Sequence, residues 1–475
     1  MSFAADIFAG RRVAVFGMAR SGIACARALM EGGAEVLAWD DGEAGRERAR
    51  EAGIALSDLR EVDFATLAAL VLAPGVPLTH PQPHWSVRKA QAAGVEIIGD
   101  TEVFFRQVRK TPGVKIAAIT GTNGKSTTTA LIGHVLSAMS LDAHVGGNIG
   151  TAVFNLAPPK WGRIYVIEMS SYQIDLSPSF RPDVGVLLNL SPDHLDRHGS
   201  LENYAAVKAR LFAHMGAGDV AVISVDDPMC RKALEGVPGA AARVPISVRK
   251  VLDDGICAVG GILQERKAGK TVVGADLSMM KSLRGEHNWQ NAAAAWAACR
   301  ALGLSGHLIA RGFMSFPGLA HRMEILGQWD GVLFVNDSKA TNAEAAGRAL
   351  AAFDDIYWIA GGRAKEGGIG QLKEHFAKVR KAFLTGEAAQ DFAATLKEAG
   401  VAHVLCGTLE VAVREAARAA REEGAASPCV LLAPACASFD QYESFEARGE
   451  HFRALVEEIA GGPGGAAAEG ESTSC

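Results

Sequence analysis

Short apolar runs recur through the first half of the chain, at residues 13–16, 35–39, 69–72, 116–120, 165–168, 184–190 and 220–224. Most are followed by glycine or polar turn residues and then by a helical stretch, as at 127–139. Continuous apolar runs alternating with helices predict an α/β chain with mainly parallel sheets. Between residues 240 and 275, glycines and short β-rich runs predict hairpins instead, and 291–302 reads as an alanine-rich helix. The chain breaks at Phe316-Pro317-Gly318, and a third alternating region follows, with strands at 332–335, 357–360, 382–384 and 429–432. No internal repeat interrupts this order. Residues 461–475 are rich in Gly, Ala, Ser and Glu, a composition expected to be disordered.

A length of 475 residues exceeds one core and fits two or three domains. Lys110-Thr111-Pro112-Gly113 reads as a linker before a new domain. With 48 basic and 53 acidic residues the net charge is -5, which supplies no field for nucleic acid or a membrane surface. Eight cysteines without a C-x-x-C pair argue against a zinc site or a disulfide framework and for reduced thiols in a cytosol. The first twelve residues lack a long apolar segment, and no run reaches membrane-spanning length, so a soluble, unexported protein is expected.

Candidate chemistry centres on Gly121-Thr122-Asn123-Gly124-Lys125-Ser126, set between a strand-like run and a helix-like run. Glycines let backbone N–H groups face phosphate oxygens, Lys125 supplies a point charge, and Ser126 offers a hydroxyl to Mg²⁺. The ordinary phosphate loop has four residues between its glycines, whereas this one has two, with Ile119 where a longer loop needs its first glycine. The contraction narrows the ATP-using enzymes to which the chain can belong. Upstream, the order strand, Gly17-Met18-Ala19-Arg20-Ser21-Gly22, helix, strand and Asp40 is that of a Rossmann-type unit with a ribose-binding carboxylate. Ala19 stands where the middle glycine lets backbone approach a pyrophosphate, which favours a mononucleotide or nucleotide sugar over a dinucleotide. Ala73-Pro74-Gly75 is a strand-end turn, equally readable as an ordinary one.

Other polar groups gather at strand ends, where doubly wound sheets bind ligands. Glu168 closes one strand and suits Mg²⁺, although a solvated strand-end glutamate has the same signature. His194, in Asn189-Leu190-Ser191-Pro192-Asp193-His194-Leu195-Asp196, suits a second metal or a structural role. Lys208, on spacing alone, reads as an exposed helix lysine. Asn288 and Asn291 lie three apart at a helix start, so both amides can face one ligand, or Asn288 can cap the helix. His321-Arg322 follows the second break. Asn336-Asp337-Ser338-Lys339-Ala340-Thr341-Asn342, Gly361-Gly362-Arg363-Ala364-Lys365 and the run from Pro434 to Tyr442 each follow a strand, as site loops or as turns and caps.

Together these segments resemble the Mur ligase family from residue 13 to about residue 452, and most closely its D-glutamate-adding members. The motifs that carry the resemblance are the 120–126 loop, Glu168 to Asp175, Asn189 to Asp196, Asn336 to Asn342, and Pro434 to Asp440. It implies an N-terminal Rossmann-like UDP-binding domain (1–109), a central mononucleotide-binding ATPase domain with a mainly parallel sheet (110–317), and a C-terminal Rossmann-like amino-acid domain (318–460). It implies that ATP phosphorylates the alanyl carboxylate of UDP-N-acetylmuramoyl-L-alanine, after which the amine of D-glutamate attacks the acyl phosphate. A monomer that inserts in no membrane is expected.

By the same resemblance, Gly121, Thr122, Asn123, Gly124, Lys125, Ser126 and Thr127 hold the ATP phosphates, Asn288 and Asn291 fall at the adenine and metal-neighbouring asparagines, and His321, Arg322, Asp337 and Lys339 at residues that hold ATP across the domain junction. Ser126 and Glu168 fall at one Mg²⁺ site and His194 at a second. Lys208 falls at a lysine carbamylated by CO₂, which reverses its reading from spacing. Lys125, His194, Lys208 and Lys339 are the implied catalytic set. Ser21, Asp40 and Asn148 match the UDP side, and Thr341, Lys365, Ser438 and Phe445 match the D-glutamate pocket. Ala19 and Ala73 depart from the glycine and serine common in these loops, and Arg363-Ala364 precede Lys365 where small or acidic residues are frequent. Rival readings are another amide ligase of the superfamily, adding L-alanine, a diamino acid, a dipeptide or glutamate to folate. A nicotinamide dehydrogenase leaves the Gly121 loop without a purpose, and an inert scaffold leaves its intact chemistry without one.

Overall fold

The structure is a computed structural model that describes residues 3–364 and 367–461. The 461–475 tail lies almost wholly outside the described residues. The chain divides into two compact units, with the boundary between Phe316 and Pro317. No helix among the described residues is long and apolar enough to cross a membrane, and the seven described cysteines carry free thiols.

The first unit contains two sheets. Strands β1 (Arg12–Phe16), β2 (Glu35–Trp39), β3 (Ala69–Leu72) and β4 (Glu96–Ile98) form a parallel sheet in the order β2-β1-β3-β4. The apolar run Val13, Ala14, Val15 and Phe16 is buried on both faces, which is why it reads as continuous rather than alternating. The second sheet runs β13-β12-β11-β10-β9-β8-β5-β7-β6. Its parallel part is β5 (Lys115–Thr120), β6 (Ala143–Gly147), β7 (Ile164–Glu168), β8 (Val184–Leu187), β9 (Val220–Ser224), β10 (Ala242–Ser247) and β11 (Gly255–Val259). β12 (Ile262–Lys267) and β13 (Lys270–Asp276) add antiparallel hairpins at the glycine-rich region. One hydrophobic core crosses the 110–113 linker: it includes Val13 and Phe104 from one side and Ile116 and Tyr165 from the other.

In the second unit, β14 (Glu324–Trp329) pairs antiparallel with β15 (Val332–Asn336), and β16 (Ile356–Gly361), β17 (Val379–Thr385), β18 (His403–Gly407) and β19 (Cys429–Leu432) extend a parallel sheet. The order is β14-β15-β19-β16-β17-β18. The last strand therefore inserts between β15 and β16, and the three expected site loops leave neighbouring strand ends.

Strands β4, β6, β14 and β18 escaped the apolar-run reading, because their burial is mixed: His403 to Gly407 are half-buried or exposed. The run at 184–190 pairs only as far as Leu187, since Leu188 to Leu190 turn toward the phosphate loop.

Candidate active site

β5 lies between β7 and β8, so its carboxyl end opens at a topological switch point. There the chain leaves the strand through Gly121 (φ 148°) and Gly124 (φ 83°) and enters the helix Lys125–Ala138, two residues earlier than the sequence pattern suggests. A side chain at Gly124 would place its Cβ 2.1 Å from Asn291 Oδ1. Asn189, which sequence reasoning left unassigned, holds the loop from below. Its Oδ1 accepts from Asn123 N–H at 2.8 Å, and its Nδ2 donates to Asn123 O at 3.1 Å and Gln290 Oε1 at 2.8 Å. Thr122 N–H donates to Asn189 O. Lys125 folds over the loop, its Nζ donating to Gly121 O (2.9 Å) and Thr122 O (2.8 Å). Ser126 is buried in the first turn of this helix, and Thr127 follows it.

Lys208 corrects the reading from spacing. It is 1% exposed, not a surface lysine. Its Nζ donates to Thr120 Oγ1 at 3.2 Å and Gly121 O at 3.0 Å and lies 4.8 Å from the centre of the Tyr204 ring. Burial, reinforced by the positive charge of Lys125, drives its pKa well below the usual lysine value. Tyr204, one helical turn earlier, was also not singled out in the sequence. Its hydroxyl lies 3.2 Å from Thr122 Oγ1, and burial lifts its pKa to about 12.

Glu168 is 2% exposed, paired in register with Ile119 of β5. Asn148 Nδ2 donates to its Oε1 at 2.8 Å, while its Oε2 is buried without a hydrogen-bond partner. A carboxylate oxygen left so costs free energy unless a cation or water takes its lone pairs, and a buried carboxylate of this kind is chemically suited to a hard divalent ion. Among the described residues no group of three or more His, Cys, Asp or Glu side chains is arranged to hold a metal. A metal here relies on ligands of other types. His194 sits in left-handed backbone (φ 52°) with an exposed ring, 5.0 Å from the Tyr172 ring and 3.4 Å from Asp193 Oδ2.

Asn288 is not a cap: the helix Glu286–Ala301 starts after Gly285, which has no capping side chain. Instead Asn291 Nδ2 donates to Asn288 Oδ1 at 3.1 Å, Asn288 Nδ2 donates to Arg284 O, and Thr128 Oγ1 donates to Asn291 Oδ1 at 3.3 Å. The pair thus faces the phosphate loop as a linked unit.

On the N-terminal sheet, Asp40 braces the β1 turn. Its Oδ2 accepts from Met18 N–H at 2.7 Å and its Oδ1 from Gly42 N–H at 2.8 Å. Ser21 lies in the first turn of the helix Arg20–Glu31. Asn148, just beyond β6, lies on the central sheet, where it donates to Glu168.

In the second unit, Asp337 N–H donates to Leu432 O, Gly361 N–H to Pro434 O, and Arg363 and Ala437 exchange backbone bonds. These contacts stitch the three loops together. Asp337 accepts from Met323 N–H at 3.1 Å, and burial raises its pKa to about 7. His321 (φ 60°) approaches Glu450 Oε1 at 3.2 Å and Asn336 Nδ2 at 3.0 Å, and Arg322 bridges back to Leu319. Lys339 Nζ lies 3.8 Å from the centre of the Phe445 ring, and Thr341 N–H donates to Lys339 O. Arg448, missed in the sequence because it sits inside a helix, ties these groups. It donates to Ser338 Oγ and O and to Cys436 O, two residues before the buried Ser438. Lys365 lies outside the described residues.

Comparison with known proteins adds to this geometry. Residues 119–299 match the Mur ligase middle domain, and 321–436 match the Mur ligase, glutamate ligase domain. The chain is 54% identical over 456 residues to UDP-N-acetylmuramoylalanine--D-glutamate ligase of Nitrobacter hamburgensis, covering 96% of this chain and 98% of that protein. A protein of the same name from Caulobacter vibrioides is 52% identical over 466 residues, covering 97% and 98%. Among solved structures, UDP-N-acetylmuramate-alanine ligase from Thermotoga maritima superposes with a TM-score of 0.58 at 18% identity, covering 94% of this chain and 99% of that one. A pseudomurein peptide ligase type C from Methanothermus fervidus gives 0.55 at 18%, covering 95% and 100%. At such identity these two show the shared three-domain fold alone.

Proposed function

This chain belongs to the Mur ligase family, and from that premise we propose that it joins D-glutamate to UDP-N-acetylmuramoyl-L-alanine, with ATP converted to ADP and phosphate, in peptidoglycan precursor synthesis. The observation that carries this reading is a buried, unpartnered Glu168 oxygen beside a phosphate loop, in a chain of which 96% and 97% align with two named D-glutamate ligases.

A carboxylate is a poor electrophile at neutral pH. Transfer of the γ-phosphoryl group from ATP to the alanyl carboxylate gives an acyl phosphate, and the amine of D-glutamate then displaces phosphate to form the amide. In this reading the N–H groups of the loop from Gly121 to Thr127 and the Lys125 ammonium take the phosphates. Lys125 exchanges its bonds to the Gly121 and Thr122 carbonyls for phosphate oxygens. Mg²⁺, which Mur ligases require, would be held by Ser126 and Glu168 and would neutralise charge on the transferring group. Asn148 fixes the Glu168 carboxylate. The Asn288-Asn291 pair serves the nucleotide side of the loop, and His321, Arg322, Asp337 and Lys339 are further proposed ATP-binding residues. Ser21 and Asp40 serve the UDP end, with Asp40 shaping the β1 turn. Thr341, Lys365, Ser438 and Phe445 form the D-glutamate pocket. The domain reading assigns residues 1–109 to UDP, 110–317 to ATP and 318–460 to the amino acid. A monomer working in the cytoplasm, where both nucleotides are made, completes the proposal.

Lys208 is proposed to be carbamylated and, with His194, to hold a second Mg²⁺. Supporting this, CO₂ reacts with a neutral amine, and burial beside Lys125 lowers the Lys208 pKa and so favours that form. A ¹³CO₂-labelled enzyme should show a carbamate carbonyl resonance that is absent in Lys208→Ala; an unlabelled wild type sinks the carbamate. The function itself is tested by phosphate release with UDP-N-acetylmuramoyl-L-alanine and ATP, supplying D-glutamate, L-glutamate, L-alanine and diaminopimelate in parallel. Preference for any amino acid other than D-glutamate overturns the assignment.

A further inference from the structure

The short helix Leu195–His198 follows His194 directly. From it the Arg197 side chain reaches the N-terminal sheet, at the turn that leaves β3. Its guanidinium donates to three successive backbone carbonyls there: Nη1 to Gly75 O at 2.9 Å, and Nη2 to Val76 O at 3.0 Å and Pro74 O at 3.5 Å. The guanidinium lies 4.6 Å from the centre of the Tyr172 ring, and His198 stacks on that ring at 5.5 Å with an interplanar angle of 15°. His198 is held in turn by Ser171, with Nε2 2.9 Å from Oγ. Immediately afterwards Gly199 (φ 79°) passes so near His80 that a Cβ would lie 3.0 Å from its Nε2. A small pocket remains between the two walls, lined by Val76, Thr79, Tyr172, Arg197 and His198.

We infer that Arg197 is a positioning residue for the UDP-linked substrate, fixing the β3 turn of the N-terminal sheet at a set span from the phosphate loop. The inference rests on the ligase reading above. Such a substrate has its nucleotide at one sheet and its reacting carboxylate at the other, so the span between them must match its length. A misplacement of about 1 Å at a reacting centre costs roughly a hundredfold in rate. A planar fork that grips three adjacent carbonyls sets that span; a flexible ammonium offers only a point charge. The carbonyls gripped belong to Pro74, Gly75 and Val76, directly after Ala73 at the end of β3.

The test compares the full-length wild type with Arg197→Ala and Arg197→Lys. In both variants KM for UDP-N-acetylmuramoyl-L-alanine is expected to rise about tenfold or more. The dissociation constant for a non-hydrolysable ATP analogue with Mg²⁺, measured without the sugar nucleotide, should stay within about twofold of wild type. An unchanged KM for the sugar nucleotide overturns the inference, as does wild-type behaviour of the lysine variant. A parallel loss of ATP-analogue affinity also overturns it, because damage then extends to the phosphate loop. Should Arg197→Ala not fold, Arg197→Lys alone decides on the same readings. If wild type shows no D-glutamate-dependent phosphate release, the ligase reading has failed separately. Calorimetric binding of the sugar nucleotide to the variants then still reports on Arg197.

Discussion

Lys208 touches Thr120, Gly121 and Tyr204, and in those surroundings a charged ammonium is the unfavourable form. Lys208→Ala is expected to lose nearly all turnover and to regain part of it with short carboxylic acids that stand in for the carbamate; full activity of the variant excludes the role. Lys125→Ala should abolish ADP formation, a loss of at least about a thousandfold as expected for a group that stabilises transferring phosphate. Wild-type ADP release by that variant would refute its place in the loop. Asp337 carries a pH dependence whose sign follows from burial. Its carboxyl is neutral in the fold up to about pH 7, while in the unfolded chain it ionises near 3.8. The unfolded state therefore binds fewer protons between those values, and stability from this group is full below about pH 4 and lost as pH rises through 7. The window is worth at most about 4 kcal/mol. Chemical denaturation of Asp337→Asn from pH 4 to 8 should show a flatter profile than wild type; an identical slope would refute the assignment.

At the scale of elements, the contracted loop works because neighbouring strands supply what its missing residues do not. Asn189, just beyond β8, pairs with both the N–H and the C=O of Asn123. Gly124 accepts left-handed backbone directly against Asn291. Gly124→Ala adds a methyl group where Asn291 Oδ1 stands and forces a positive φ on alanine. A destabilisation of about 1–3 kcal/mol is expected, with loss of at least about tenfold in ATP-analogue affinity. Thermal melts and calorimetry read both; an unperturbed variant would show that the loop has more room than the geometry allows. The strand-end reading was legible where apolar runs are buried on both faces, as in β1, β5, β7 and β19. It failed for β4, β6, β14 and β18, whose half-exposed residues leave no continuous apolar signal.

For the whole molecule, the two units carry separate cores, with the break at Phe316 and Pro317. A fragment of residues 1–316 should therefore fold and still bind the ATP analogue, more weakly than the full chain, since its loop, Glu168 and Lys208 lie inside it while His321, Arg322, Asp337 and Lys339 do not. It should release no D-glutamate-dependent phosphate. Retained turnover by the fragment would remove the second unit from the reaction.

The sequence by itself determined the alternation of strands and helices, the phosphate loop and the strand-end motifs that bear the family resemblance, because these are local: a glycine turn or an apolar run has its meaning within a few neighbours. Burial of Lys208, the unpartnered oxygen of Glu168, the Asn189 brace and the reach of Arg197 to the β3 turn belong to the tertiary structure. Each depends on residues far apart in the chain meeting at one strand end, and no spacing along a sequence encodes which side chain loses its water there.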